Sequence, residues 1–356
     1  MDLDEKNREY LNGRGAQLNT DNRFLKNSLS KEHIEAIDDW EITNEKTSFI
    51  FSSAKSIVNK VESPDVNMVY SLNPYQGCEH GCIYCYARNS HEYWGYSAGL
   101  DFERKIIVKK DAPKLFKKFI EKKGWDALPI SISGNTDCYQ PCERKFQLTR
   151  QILKIALDYK QPISMITKNS LIIRDLDILQ EMAKHKLISV YVSITSLNED
   201  LRQKLEPRTT TAKQRLKVIE QLSKANIPMG VMAAPMIPGL NNHEIPAILK
   251  ASADAGAIGA GYTVVRLNGA ISKIFEDWLA KNFPDRFEKV WHQIQDCHGG
   301  NVNDSRFGAR MRGEGNFAQL MSSTFKLHCK LNGLNVKKIE LDSSSFKVPK
   351  AQLNLF

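Results

Sequence analysis

A chain of 356 residues with 42% hydrophobic side chains is long enough to bury a substantial core. Seven cysteines are too few and too unevenly spaced for a disulfide scaffold, and no stretch approaches the run of about 20 apolar residues that spans a bilayer. The formal charge of +9, from 50 Lys and Arg against 41 Asp and Glu, hints at an anionic partner without fixing its kind.

The N-terminus, MDLDEKNREYLNGRG, is polar and at first acidic, unlike a secretory signal or a transit peptide, so a soluble cytoplasmic protein is expected. Residues 1–67 read as an extension that wraps the core. GRGAQLNTDNRF is irregular, Ile34, Ile37 and Trp40 suggest one short helical face, and TSFIFSSAKSIVNK has strand character. From Met68 the pattern becomes strand, loop, helix, repeated. MVYSL (68–72) reads as a strand running into a cysteine-bearing loop, and Ile106 to Val108 as another short strand. Asp111 stands as an N-cap, with Pro113 just inside a helix that sets Leu115, Phe116, Phe119 and Ile120 on one side. The basic run from Arg104 to Lys123 is then a solvated helix face.

PISIS (129–133), PISMIT (162–167), ISVYVSIT (188–195), IPMGVMAAPM (227–236) and GAGYTVVRL (259–267) read as buried strands. Helices are expected over 143–158, 174–184, 212–225 and 243–254. Six buried strands alternating with helices predict a parallel sheet with right-handed crossovers. Its site belongs on the rim at the carboxyl ends of the strands. After about residue 270 the alternation stops. A mostly helical C-terminal extension (271–356) follows, with a break at Pro284, the stretch CHGGNVNDSRFGARMRGEG and a last helix over 315–330.

Residues 73–88, NPYQGCEHGCIYCYAR, carry Cys78, Cys82 and Cys85 in a C-x3-C-x2-C spacing. A loop of that pitch turns three thiolates onto one metal centre, and Gly77 and Gly81 leave the backbone free to wrap it. Thiolates are soft ligands, suited to an iron–sulfur cluster or to zinc. A structural zinc needs a fourth protein ligand, for which His80, His91 and Cys138 are candidates. A [4Fe–4S] cluster can be held by three cysteines, which leaves one iron open. An open iron is what reductive cleavage of S-adenosylmethionine (SAM) to a 5′-deoxyadenosyl radical requires.

With Tyr84 at the aromatic position before the third cysteine, the loop resembles that of the radical SAM superfamily. The resemblance implies an α/β fold, an incomplete (βα)6 barrel over 68–270, with SAM and a [4Fe–4S] cluster as cofactors and an electron donor such as flavodoxin or ferredoxin as partner. Further motifs resemble the spore photoproduct lyase branch. They are Tyr84 and Tyr86, Thr136 and Asp137 at a strand end, Thr167 and Lys168, Ser193 to Thr195, Glu206 and Pro207, and Ala234 and Pro235. GRGA at 13–16 and SGNTDCYQPCE at 133–143 resemble an uncharacterised bacterial subgroup.

By that resemblance Tyr84, Thr136, Asp137, Lys168 and Ser193 belong to the SAM site, with Lys168 meeting the SAM carboxylate, and Tyr84 and Tyr86 form a tyrosine relay. Gly134 stands where photoproduct lyases use a cysteine to return hydrogen to the product radical. Cys138 is the candidate to take over that role, with Cys142 near it, and thymine-dimer repair does not carry over. Arg306, Arg310 and Arg312 are candidates for grasping phosphate. The competing reading is a nucleic-acid-binding module stabilised by zinc or an inert cluster, although no RRM, zinc-finger or helix-turn-helix signature supports it. The substrate stays open, since loops and termini read it.

Overall fold

Six strands pair in parallel in the order in which the chain makes them. A computed structural model of the chain describes residues 10–25, 46–66 and 68–349. The helical face expected from Ile34, Ile37 and Trp40 lies outside these residues. The strands are β1 (Ser48–Phe51), β2 (Val58–Lys60), β3 (Tyr70–Leu72), β4 (Tyr75–Gln76), β5 (Lys105–Val108), β6 (Ile130–Ile132), β7 (Ile163–Thr167), β8 (Ile188–Ser193), β9 (Met229–Met236) and β10 (Gly259–Val264). The main sheet runs β10-β9-β8-β7-β6-β3-β2, parallel throughout except for β2, which pairs antiparallel with β3. Its edges, β10 and β2, do not pair with each other, so the barrel is not closed, consistent with an incomplete one.

Strands buried on both faces read as continuous apolar runs. In β7 and β8 the register sets Ile163 opposite Ile188 and Met165 opposite Val190, all in the core. The helices Ala112–Ile120, Leu148–Tyr159, Leu176–Lys184, Ala212–Lys224 and Ile245–Asp254 close over the sheet with Phe116, Ile152, Leu179, Val218 and Ile248. Lys114, Lys117 and Lys118 of the first of these point to solvent, but the basic run is not one solvated helix face, since Arg104 is buried and Lys105 opens β5. Among the described residues no helix is long and apolar enough to cross a membrane.

Three features differ from the sequence expectation. The chain does not pass directly from β3 into the cysteine loop. It first makes β4, which joins β5 and β1 in a separate three-stranded sheet packed on Phe146, Cys142 and Leu148. The helix expected over 143–158 breaks at Gln147, whose φ is 51°. Buried Glu143 explains the break, because its carboxylate accepts the backbone N–H of Thr149 at 3.1 Å and so caps the second helix. The helix over 174–184 gains a 3-10 turn, Ser170–Asp175, opened by the Asn169 side chain on the Leu171 N–H at 3.0 Å.

The C-terminal extension covers one sheet edge. Helices Ile271–Asn282 and Phe287–Asp296 flank Pro284, and the last helix, Gly315–Leu331, buries Met321 and Phe325, with Phe325 against Tyr262. Beyond it, the Asn335 amide accepts the Ala260 N–H at 2.8 Å and donates to its carbonyl at 3.0 Å. Edge β10 thus has these backbone groups satisfied by a side chain.

Candidate active site

The cysteine loop owes its path to two left-handed glycines. Gly77 has φ 77° and Gly81 φ 68°, and a Cβ on Gly81 would fall 2.8 Å from the Glu103 carboxylate. Arg88 and Glu103, both without solvent exposure, pair at 2.6 Å beneath the loop. Arg88 also donates to the Cys82 carbonyl at 3.0 Å, while the Cys78 N–H reaches the Phe102 carbonyl at 2.9 Å. The Glu103 carboxylate then accepts the N–H groups of Gly15 at 3.1 Å and Ala16 at 2.8 Å. The N-terminal GRGA is therefore stitched to the outside of the loop, which gives the wrapping extension a defined task.

The three loop thiols are unpaired; Cys78 and Cys82 are buried and Cys85 half-buried. Burial pushes all three up, Cys78 to about 12, so without a cation they stay neutral. A bound metal centre converts such thiols to thiolates. The three proposed additions to a zinc site do not join them. His80 holds Asn169 at 3.0 Å with one ring nitrogen and faces Asp137 at 3.4 Å with the other. The His91 ring packs against Tyr96 and Phe102, and burial pushes its pKa down to about 4. Cys138 sits fully buried in the main core, with Ser133 and Thr149 around it. Among the described residues no three His, Cys, Asp or Glu side chains gather as a site for a single ion. Three sulfur donors without a fourth fit a cluster with one open iron better than a closed zinc tetrahedron.

Strand ends bring a polar cluster to the same rim. Lys168, just after β7, donates from Nζ to Ser193 Oγ at 2.5 Å, across to the end of β8. Its Nζ also lies 3.7 Å from Glu206 Oε1. Glu206 is fully buried and accepts from Thr195 at 2.6 Å, from Arg215 at 2.5 Å and from the Tyr84 hydroxyl. Although burial alone would raise its pKa, Arg215 and Lys168 hold the carboxyl well below the usual range, so it stays ionised. Burial and the Glu206 charge push the Tyr84 phenol up, so it remains a donor. Lys168, Ser193 and Tyr84 are thus brought together.

Thr136 and Asp137 serve the backbone here. The Thr136 hydroxyl donates to the Gly77 carbonyl at 2.7 Å, directly before Cys78, and Gln140 supports both groups. The Asp137 carboxylate takes the Thr167 hydroxyl at 2.8 Å, the Lys168 N–H at 2.8 Å and the Tyr139 N–H at 2.9 Å. It positions Lys168 and has little capacity left for a ligand. Tyr86 is half-exposed and donates to the Gly134 carbonyl just past β6. Cys138 belongs to the main core cluster and Tyr84 to a separate one, and Cys142 packs behind the loop, its N–H on Glu79 at 2.7 Å.

Two of the arginines expected to hold phosphate are occupied. Arg306 pairs with Asp304 at 2.6 Å and Glu314 at 2.9 Å, and Arg310 with Asp65 and Ser63. Arg312 is exposed. The principal residues missed from the sequence are Glu206 as a site carboxylate and Arg215 as its partner. Glu206 stood in a noted motif without a role, and Arg215 lies in a helix, AKQRLKVIEQLSK, whose polar composition reads as solvated although Arg215 is 1% exposed.

The profile of the Radical SAM superfamily matches residues 72–251, just over half of the chain. An uncharacterised protein of Mycobacterium tuberculosis is 32% identical over 234 residues, 65% of this chain and 69% of that protein. An uncharacterised protein of Methanocaldococcus jannaschii is 29% identical over 248 residues, 69% of this chain and 88% of that one. Among solved structures, spore photoproduct lyase complexed with dinucleoside spore photoproduct superposes with a TM-score of 0.61 at 15% identity, over 85% of this chain and 86% of that chain. A double mutant of the same lyase with bound AdoMet and dinucleoside spore photoproduct gives 0.59 at 15% identity, with 82% of each chain covered. At that identity the likeness concerns the fold.

Proposed function

The chain belongs to the radical SAM superfamily, and on that premise we propose that it holds a [4Fe–4S] cluster on Cys78, Cys82 and Cys85 and binds SAM at the open iron. When bound, such a cluster would supply the electron for reductive cleavage of SAM, the chemistry that yields a hydrogen-abstracting 5′-deoxyadenosyl radical. Lys168 offers one ammonium to the SAM carboxylate, a charge-assisted contact. Ser193 and Glu206 hold that ammonium at the strand ends. Glu206 and Thr195 fix the Tyr84 phenol over the same rim, and Lys168 lies 5.9 Å from the Tyr84 ring centre. Thr136 keeps the loop closed behind Cys78 through the Gly77 carbonyl. A small reductant of the flavodoxin or ferredoxin kind supplies the electron.

The observation that carries the reading is the loop itself: three unpaired thiols on a glycine-freed turn, beside a lysine placed by β7 and β8. Repair of a thymine lesion is not part of the proposal, because Gly134 stands where the photoproduct lyases carry their hydrogen-returning cysteine. Anaerobic purification with iron and sulfide analysis, then assay for 5′-deoxyadenosine after adding SAM and reductant, tests the proposal. Zinc without sulfide, and no deoxyadenosine, would favour the nucleic-acid-binding module instead.

A further inference from the structure

Two guanidinium groups and one carboxylate meet where the last strand ends. Arg266 lies just past β10, its neighbours pinned by Val265 N–H on the Met236 carbonyl at 2.9 Å and Leu267 N–H on the Val302 carbonyl at 2.9 Å. Arg310 comes over from the glycine- and arginine-rich stretch, with its guanidinium 4.4 Å from the Phe307 ring centre. Asp65 lies within electrostatic reach of both arginines, but its carboxylate is spent on the Gly308 N–H at 2.6 Å and on Arg310 Nε. Arg266 is half-buried and makes no hydrogen bond or ion pair with any described residue, which leaves one positive charge over. Its other neighbour is the Tyr86 phenol, which rests on the Gly134 carbonyl past β6.

We infer that Arg266 anchors the substrate through an oxyanion, a phosphate or a carboxylate, seated beside Tyr86 on the rim; this role rests on the radical SAM reading above. An unpaired, partly desolvated guanidinium is costly, and an oxyanion that accepts two parallel N–H bonds relieves that cost. Burial and repulsion from Arg310 already press on the Arg266 charge, and an anion offsets both. The location fits, since βα folds take their ligands at the carboxyl ends of the strands. The other basic side chains of the region do not offer this. Arg306 and Arg310 are neutralised by carboxylates, and Arg312 is exposed to solvent.

Calorimetric titration of the full-length, cluster-loaded protein with inorganic phosphate, and separately with acetate, tests the inference. Binding of phosphate alone identifies the anchored group as a phosphate, and binding of acetate alone identifies it as a carboxylate. In either case Arg266→Ala should weaken binding about tenfold or more. Arg266→Lys should retain part of it, because a point charge replaces the fork. Arg312→Ala, which removes an exposed charge, should change nothing. Neither anion binding the wild-type protein, or equal binding by Arg266→Ala with an unaltered melting curve, overturns the inference. So does loss of binding in Arg312→Ala rather than in Arg266→Ala. Deoxyadenosine formation by the wild-type protein is scored separately. If it occurs and the anion site fails, only the anchor is lost. If the anion binds through Arg266 but no deoxyadenosine forms, the radical reading and the substrate role fall together.

Discussion

Gly15 packs so closely on Gly81 that a Cβ added to Gly15 would fall 1.7 Å from the Gly81 carbonyl oxygen. Both glycines also border Glu103, whose carboxylate receives the Gly15 N–H and ion-pairs with Arg88 under the cysteine loop. The N-terminal segment is thereby a fitted part of the cysteine loop.

Gly15→Ala should therefore disturb the loop itself, because the colliding atom is backbone and cannot rotate away. Overpacking of this kind costs about 1–3 kcal/mol or more. Gly13→Ala is the control: Gly13 has φ 75° but nothing within 4 Å of a Cβ. It carries only the left-handed penalty of about 1–2 kcal/mol. Iron analysis after reconstitution should show several-fold loss for Gly15→Ala and near-normal content for Gly13→Ala. Equal iron in both would mean that the strap does not support the loop.

Cys78→Ala, Cys82→Ala and Cys85→Ala should each abolish cluster binding, since every other described cysteine is committed to packing elsewhere. Normal iron and sulfide with deoxyadenosine production in any one of them would refute the ligand assignment.

Much of the fold was legible because parallel strands buried on both faces are written as apolar runs. ISVYVSIT, read as a strand over 188–195, forms β8 over Ile188–Ser193, and the C-x3-C-x2-C loop is contiguous. What stayed hidden depends on distant residues meeting. Glu206 and Arg215 form a fully buried ion pair, yet each belongs to a locally polar stretch that reads as surface. Glu143 breaks a helix because its own carboxylate caps the next one. Arg306 and Arg310 read as free basic groups; Asp304 stands only two residues before Arg306, whereas Asp65 reaches Arg310 only through the fold. Periodicity reports which face is apolar, and it carries no information on which charge finds which partner.

Lys168→Ala should keep the cluster and weaken SAM binding. The lost contact is a charged hydrogen bond worth about 1.5–3 kcal/mol, roughly ten- to a hundred-fold in affinity. Arg215 remains as a counter-ion for Glu206, so the fold should survive. Equilibrium binding of SAM to the reconstituted variant checks the effect, and iron loss would instead assign Lys168 a structural role.

Glu206→Gln should cost about 3–5 kcal/mol, because it leaves the Arg215 guanidinium, only 1% exposed, without its counter-ion. Replacing Arg215 as well should cost less than the sum of the two single changes, since the pair shares one interaction. Urea unfolding of the four proteins in the cycle gives the coupling. Strict additivity would show that the two side chains act independently despite their 2.5 Å separation.

The last prediction separates the two positions, 134 and 138, at which a hydrogen-returning thiol is sought. Cys138 is fully buried in the main core, so Cys138→Ala should behave as a packing change of about 1 kcal/mol, comparable to Ile→Val. Its thiol should stay unreactive toward alkylating reagents until the protein unfolds. At Gly134 the situation is reversed. A Cβ there would meet only Ser71 Cβ at 3.4 Å, an ordinary contact, and the Gly134 carbonyl already holds the Tyr86 hydroxyl. Gly134→Cys should therefore fold with normal iron content and add one thiol that is alkylated in the native protein. Mass spectrometry after anaerobic alkylation distinguishes the two sites. Native labelling of Cys138 would return it to the rim as the candidate donor, and misfolding of Gly134→Cys would show that position 134 has no room for a thiol.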